Sequence, residues 1–223
     1  MNLLRRDIKN IICEMAAQLD DDFFREGFAR RKNGLVYARK IETTTQKIEI
    51  IFSSHPSYDR KALAHIYPFI SVYFPEISNT VIRLSDAPYI LDWMQKFTVR
   101  QPMQDYRSPA EGWYLLDTVD YNRLAEEIKK FVQKNTFPLL NQLKSTDDYL
   151  KLYENTDTRI MWNDLQYLCV VSAYINKNEY EKAYSVLNKR FGKPGLRKKY
   201  GKAFYFFDHA LGEINENMEN YHK

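Results

Sequence analysis

Apolar residues first recur at helical spacing and then at the alternating spacing of strands. Leu4, Ile8 and Ile12 lie on one helical face, which predicts an amphipathic helix ending near the acidic run at 20–22. Segments 34–39, 47–52 and 69–74 are rich in β-branched and aromatic residues, and this predicts three strands joined by short connections. We therefore expect a small, mostly antiparallel sheet that the N-terminal helix covers.

The segment 75–112 carries four prolines, which interrupt any long helix or strand. Short strands are predicted at 81–84 and 96–99, and 113–116 is a stronger strand candidate. We expect one or two strands from this part of the chain.

From Asp120 onwards the apolar spacing becomes helical, and Pro138 interrupts the first long stripe. Ser145 followed by Asp148 is typical of a helix N-terminus with a capping box. A helical hairpin about the turn at 176–178 is similar to one tetratricopeptide unit, and a last helix is predicted over 200–214. The fold class is thus α+β, with a sheet region at 1–118 and a helical region at 119–223, whether or not the two regions pack as one domain.

Composition is that of a globular protein, because 44% of the 223 residues are hydrophobic and 15% are aromatic. No run of about 18 apolar residues is present, and the first ten residues lack the apolar stretch of a secretory signal, so we expect a soluble, cytoplasmic protein without a membrane partner. Tyrosine is abundant, with 17 residues, and tyrosine and tryptophan are favoured in cores and at interfaces alike. They are spread over both halves, for example at Trp113, Tyr114, Tyr149, Tyr153, Trp162 and Tyr167.

No familiar catalytic or cofactor motif appears in the sequence. Phosphate-binding glycine loops and the Gly-x-Ser-x-Gly elbow are missing, and the four histidines do not have metal-ligand spacing. We predict no catalytic residue, no metal and no cofactor. One alternative stays open, which is an enzyme with an unfamiliar site near His55 and Asp59, because His55 follows a predicted strand.

Basic residues are concentrated in two stretches, although the net charge is only +4. Residues 189–202 hold seven basic residues and no acid, and residues 25–40 hold six with one acid. Such stretches are most often solvated or structural, but they also bind acidic protein surfaces or nucleic acid. The candidate partner-binding residues are Arg30, Arg31, Lys32, Lys193, Arg197, Lys198, Lys199 and Tyr200.

Four segments of the chain form a shared pattern, and they are 23–31, 69–76, 135–148 and the closing hairpin with 180–183. Together they resemble a small bacterial domain family of unknown function. Members of that family tend to occur beside polymorphic toxin systems, and some are regarded as immunity proteins. The resemblance implies a bacterial, non-enzymatic protein that binds another protein, such as a toxin. Nucleic-acid binding through 189–202 is the second alternative that stays open.

Overall fold

The structure, a computed structural model, describes residues 4–85, 88–103, 112–193 and 204–221. It is an α+β protein with antiparallel strand pairing and a helical C-terminal half, as predicted. Its helices are α1 (Arg5–Ala17), α2 (Asp20–Arg25), α3 (Pro75–Leu84), α4 (Pro88–Met94), α5 (Tyr121–Phe131), α6 (Phe137–Asn141), α7 (Thr146–Glu154), α8 (Asp164–Asn176), α9 (Tyr180–Phe191) and α10 (Phe204–Tyr221).

The strands form two sheets. They are β1 (Ala29–Arg30), β2 (Val36–Ile41), β3 (Thr44–Glu49), β4 (Phe52–Ser54), β5 (Ala64–Ile66), β6 (Phe69–Tyr73), β7 (Val99–Pro102) and β8 (Trp113–Leu115). The first sheet has the order β1-β2-β3-β6-β7 and the second has the order β4-β5-β8. The single strand expected at 47–52 was wrong, because the chain leaves the first sheet after Glu49 and enters the second at Phe52. The apolar run continues through Ile50 and Ile51, so the pattern alone does not reveal the change.

Alternating burial along β3 gives the first sheet one covered face. Thr44, Gln46 and Ile48 are buried, while the residues between them are only half-buried. On β2, the buried Tyr37 hydroxyl donates a hydrogen bond to the Ala16 carbonyl of α1. The N-terminal helix therefore covers this sheet, as the apolar stripe predicts.

Two predictions for the middle of the chain need correction. The expected strand at 81–84 is the end of α3, whose buried residues Ile77, Val81 and Leu84 have helical spacing. Strand β7 begins only at Val99, so most of the strand expected at 96–99 precedes it. The β-branched and aromatic residues of both segments suggested strands. For the segment 81–84, Pro75 in the first turn of α3 favours the start of a helix instead.

The capping box predicted from Ser145 and Asp148 is confirmed. Ser145 Oγ accepts the Asp148 backbone N–H at 3.2 Å, and the Asp148 carboxylate accepts the Ser145 N–H at 3.1 Å, which is a capping box at the start of α7. A π-helical turn at Val132–Thr136 joins α5 to α6 just before Pro138. Proline has no backbone N–H to donate. The helix accommodates Pro138 by widening into a π-helical turn, so the helical path continues into α6.

Residue contacts divide the chain into two compact units, and each unit combines two separate segments. Unit 1 is Met1–Ser71 with Arg100–Gln142, and unit 2 is Val72–Val99 with Leu143–Lys223. The boundaries fall inside β6 and β7. A division at 118, which follows the change of periodicity along the chain, is another partition and stays a prediction.

Each unit has its own buried core. The core of unit 1 includes Phe23, Phe28 and Tyr37, whose rings contact one another or Phe137. In unit 2, α8 is buried almost all round, and Tyr149 donates a hydrogen bond to the Gln166 side chain at 2.9 Å. None of the described helices combines the length and apolar character that crossing a membrane requires.

Candidate functional site

Arg30 is the predicted binding residue that the structure buries most completely. Its Nε and Nη2 each donate to the Asp20 carboxylate at 2.7 Å, and its Nη1 donates to the Gly34 carbonyl at 3.1 Å. Only 7% of its side chain is exposed. Burial opposes the charged guanidinium, but the hydrogen bond to Asp20 and the negative charge beside it together outweigh burial, so the pKa of Arg30 is raised. Arg30 therefore ties α2 to β1 within unit 1.

Arg39 in the same basic stretch is also held inside unit 1. It donates to the Gln46 side chain at 2.8 Å, to the Glu26 carbonyl at 2.7 Å and to the Asn141 side chain at 2.7 Å. Its guanidinium lies 4.4 Å from the centre of the Phe28 ring. Two of the six basic residues at 25–40 are thus used by the fold itself.

The other predicted binding residues are exposed or lie outside the described residues. Arg31 and Lys32 are exposed in the turn between β1 and β2 of unit 1, and Lys193 is exposed after α9 of unit 2. Arg197, Lys198, Lys199 and Tyr200 lie outside the described residues.

His55 and Asp59, the centre of the enzymatic alternative, lie in the connection between β4 and β5. His55 is exposed with φ 48°, and its backbone N–H donates to the Leu63 carbonyl at 2.9 Å. The Asp59 carboxylate accepts the Lys61 backbone N–H at 2.9 Å. Both residues shape the turn between the two strands.

A different histidine, the buried His65 of β5, lies in an aromatic cluster that was not recognised in the sequence. Its Nδ1 is 2.5 Å from the Tyr58 hydroxyl, and its ring stacks on Tyr114 with the centroids 4.6 Å apart. A Cβ at Gly112 would lie 2.3 Å from His65 Nε2, so only glycine fits there without a shift. The sequence feature that could have identified the cluster is a histidine between two apolar residues in the segment Ala64–Ile66, which forms β5.

Burial determines the protonation of this cluster. It lowers the pKa of His65 and raises the pKa of Tyr58, so both groups stay neutral near pH 7. A tyrosine whose pKa is raised is a weaker nucleophile, because less of it is ionised. Within this cluster, the contacts of His65 include the hydrogen bond with Tyr58 and the stacking on Tyr114.

Unit 2 carries a half-exposed aromatic surface around the loop that follows α7. The loop spans residues 155–163, and Thr156 has φ 51°. Arg159 donates to the Asp157 carboxylate at 2.7 Å, and Trp162 Nε1 donates to the Asp157 carbonyl at 2.8 Å. These contacts hold the loop and fix the tryptophan on it.

Neighbouring helices continue this surface. The Tyr153 ring meets Trp162 edge-on at 5.3 Å and Tyr167 at 6.1 Å. The Arg190 guanidinium lies 4.7 Å from the centre of the Tyr167 ring. We define the loop surface as Tyr153, Arg159, Met161, Trp162, Tyr167 and Arg190.

The charges of the loop surface are largely neutralised by neighbours. Arg159 is paired with Asp157 at 2.7 Å, and Arg190 is paired with Asp164 at 2.5 Å. The three aromatic side chains are half-buried, and Met161 is 49% exposed. Sequence reasoning recognised the surplus of tyrosine but not this grouping, because the course of the loop between the consecutive helices α7 and α8 determines which rings meet.

No group of three His, Cys, Asp or Glu side chains able to hold a metal ion occurs within the described residues. Comparison with known proteins found no matching family model, no matching curated protein and no matching solved structure. The resemblance to immunity proteins consequently stays a prediction.

Proposed function

We propose that this protein acts by binding another protein through the loop surface of unit 2 and not by catalysis. The observation that carries the proposal is the ordered loop that presents Arg159, Met161 and Trp162 beside two half-buried tyrosines. Trp, Tyr, Met and Arg are the residue types enriched at the centres of protein interfaces. A tryptophan fixed by a backbone hydrogen bond loses little further freedom on binding, so it is a suitable anchor.

The chemistry of the loop surface favours a protein over the two alternatives. Nucleic acid is bound mainly by cations that neutralise phosphates, whereas Arg159 and Arg190 already have carboxylate partners. The six residues that define this surface include no serine, cysteine, histidine or carboxylate, and burial raises the pKa of Tyr153, which leaves less of it ionised to act as a nucleophile or base. A toxin, which the family resemblance implies, is the kind of partner that we propose.

The two arginines also indicate how such a partner would bind. Since their charges are balanced locally, long-range steering adds little, and the affinity depends mainly on aromatic burial. We therefore expect binding to change little between low and high salt. A stable complex would cover roughly 800 Å² of each protein, so the loop surface forms the centre of the contact and not the whole of it.

The test is affinity capture with the tagged full chain from nuclease-treated and untreated extracts of its source cells. Trp162→Ala removes the anchor, and Met161→Asp adds a charge at an exposed position, so the second variant does not disturb the core. Tyr184→Ala is the control, because Tyr184 is an exposed aromatic on α9 outside the loop surface.

A protein recovered in stoichiometric amount by the wild type and by Tyr184→Ala, but not by the two loop variants, supports the proposal. Thermal unfolding of each variant verifies that the fold is intact. Retention of the partner by both loop variants would reject this surface, and recovery of nuclease-sensitive material lost in high salt would favour nucleic-acid binding.

A further inference from the structure

The outer edge of β4 has no partner strand in the second sheet, whose order is β4-β5-β8. On the inner side, the Tyr67 N–H donates to the Ile51 carbonyl at 2.9 Å. Bonded residues alternate along an antiparallel strand, so the backbone groups of Phe52 and Ser54 point away from β5. Within the described residues these two N–H and two carbonyl groups have no hydrogen-bond partner.

This open edge lies where β2 ends. Just after β3, the Ile50 N–H donates to the Leu35 carbonyl at 2.8 Å, so its backbone groups point towards β2. Phe52 and Ser54 follow at even spacing and point to the same side. No part of β2 lies beside them, because the chain before β2 turns back at 31–34 to form β1. The edge of β4 is therefore a position for one further strand in line with β2, and all three β4 residues are only half-buried.

Exposed cations lie on the two connections that flank the open edge. Arg31 and Lys32 are in the turn before β2, and Arg60 and Lys61 are in the connection between β4 and β5. These four side chains have no ion pair within the part of the chain that the structure describes. The carboxylate on the same connections is that of Asp59, which accepts the Lys61 backbone N–H at 2.9 Å. Positive charge beside an edge strand disfavours pairing with neutral or basic strands and favours an acidic one.

We propose that β4 is a docking site for an extended, acidic segment of a partner protein, which adds one strand to the second sheet. Main-chain hydrogen bonds to Phe52 and Ser54 would hold the segment, and carboxylates at its two ends would meet the two pairs of cations. This site lies in unit 1 and is separate from the loop surface, so it does not depend on the function proposed above.

The probe is a fluorescein-labelled peptide of alternating valine and threonine with two glutamates at each end. One matched peptide carries lysine in place of each glutamate, and another carries N-methyl groups on its central amides, which removes their hydrogen-bond donors. Each is titrated into the full chain at low and at high salt. We expect saturable binding of the acidic peptide that weakens as salt rises, and at least tenfold weaker binding of both matched peptides.

Amide hydrogen exchange locates the contact on the chain. In the free protein the N–H groups of Phe52 and Ser54 should exchange rapidly, whereas that of Tyr67 is already bonded and should exchange slowly. Saturation with the acidic peptide should slow exchange at Phe52 and Ser54 at least tenfold and leave Tyr67 unchanged. Unaltered exchange at both edge residues in the saturated chain would place the peptide elsewhere and overturn the proposal.

Two variants separate the backbone contribution from that of charge. Ser54→Pro removes an outward N–H and no hydrogen bond to β5, so the fold should be kept, and binding should weaken at least tenfold. Thermal unfolding verifies the fold. Lys32→Glu should weaken binding several-fold, whereas Lys40→Glu, the matched exposed cation at the far end of β2, should leave it unchanged.

Equal binding of the acidic and the N-methylated peptides would contradict strand addition, as would equal affinity of folded Ser54→Pro and the wild type. Loss of peptide binding in Trp162→Ala would also overturn the proposal, because the contact would then lie on the loop surface. Self-association of the chain, measured by sedimentation and abolished by Ser54→Pro, would overturn it as well, since the occupant would be a second copy.

Discussion

Replacement of Arg30 by methionine should destabilise unit 1, since this side chain is almost completely buried and makes three charged hydrogen bonds. Two of them reach the Asp20 carboxylate at 2.7 Å, and the third reaches the Gly34 carbonyl at 3.1 Å. Methionine has a similar volume, so the loss reports the interactions and not a cavity. Arg31→Met, at the exposed neighbouring position, is the matched control.

The size of the effect follows from the unequal burial of the two partners. The Arg30 side chain is 7% exposed, whereas that of Asp20 is 46% exposed. Loss of Arg30 leaves a carboxylate that water can solvate, and we expect a cost of about 2 kcal/mol. Asp20→Ala leaves a buried guanidinium with one carbonyl partner, so its cost should be higher, about 3 kcal/mol.

Urea denaturation of the wild type, the two single variants and the double variant gives the coupling between the partners. We expect a coupling energy of about 1.5–2 kcal/mol, with m-values unchanged. A coupling below about 0.5 kcal/mol, typical of an exposed ion pair, would refute the reasoning. So would a loss for Arg30→Met no larger than the loss for Arg31→Met, which should stay within about 0.5 kcal/mol.

Three further predictions concern buried groups, and each is measured by denaturation. Ser172→Ala should stabilise unit 2 by about 1 kcal/mol, because the buried Ser172 hydroxyl has no hydrogen-bond partner within the described residues, whereas Ala173→Ser should destabilise it. Burial lowers the pKa of His65 below its unfolded value of about 6.5, so its contribution to stability is complete above that pH and is lost as pH falls through the folded pKa. His65→Gln should therefore flatten the loss of stability below pH 6.5, and an unchanged profile would contradict this. Gly112→Ala should destabilise unit 1 by about 1–3 kcal/mol, because its methyl group would meet the His65 ring, and a neutral result would contradict that contact.

Sequence reasoning succeeded where a local signal is sufficient. The capping box at Ser145 and the turn before Tyr180 depend on residues within one helical turn, and both are present in the structure. The division of segment 47–52 between two sheets depends on pairing partners elsewhere, since β4 pairs with β5 and β3 with β2. The apolar pattern is the same for one long strand and for two short ones, and it contains no signal for the switch.

The candidate sites depended on side-chain contacts that no local sequence pattern specifies. Trp162, Tyr153 and Tyr167 are within fifteen residues of one another, yet only the course of the loop determines that their rings meet. His65 was not recognised because a lone histidine carries no spacing signal, and its partner Tyr58 belongs to a turn. Abundant tyrosine predicts aromatic clusters in general, but it does not predict which of them reach the surface.

The basic stretch at 25–40 illustrates why a charge pattern alone cannot identify a binding surface. Arg30 and Arg39 lie on adjacent strands within this stretch, and each guanidinium is satisfied by groups of unit 1. Arg31 follows Arg30 directly, but the strand ends there and its side chain is exposed. One residue along the chain thus separates a structural cation from one that can meet a partner, and the sequence pattern assigns both the same charge. A binding role for this stretch must therefore be sought at its exposed cations, which are Arg25, Arg31, Lys32 and Lys40, and variants at Arg30 report the fold.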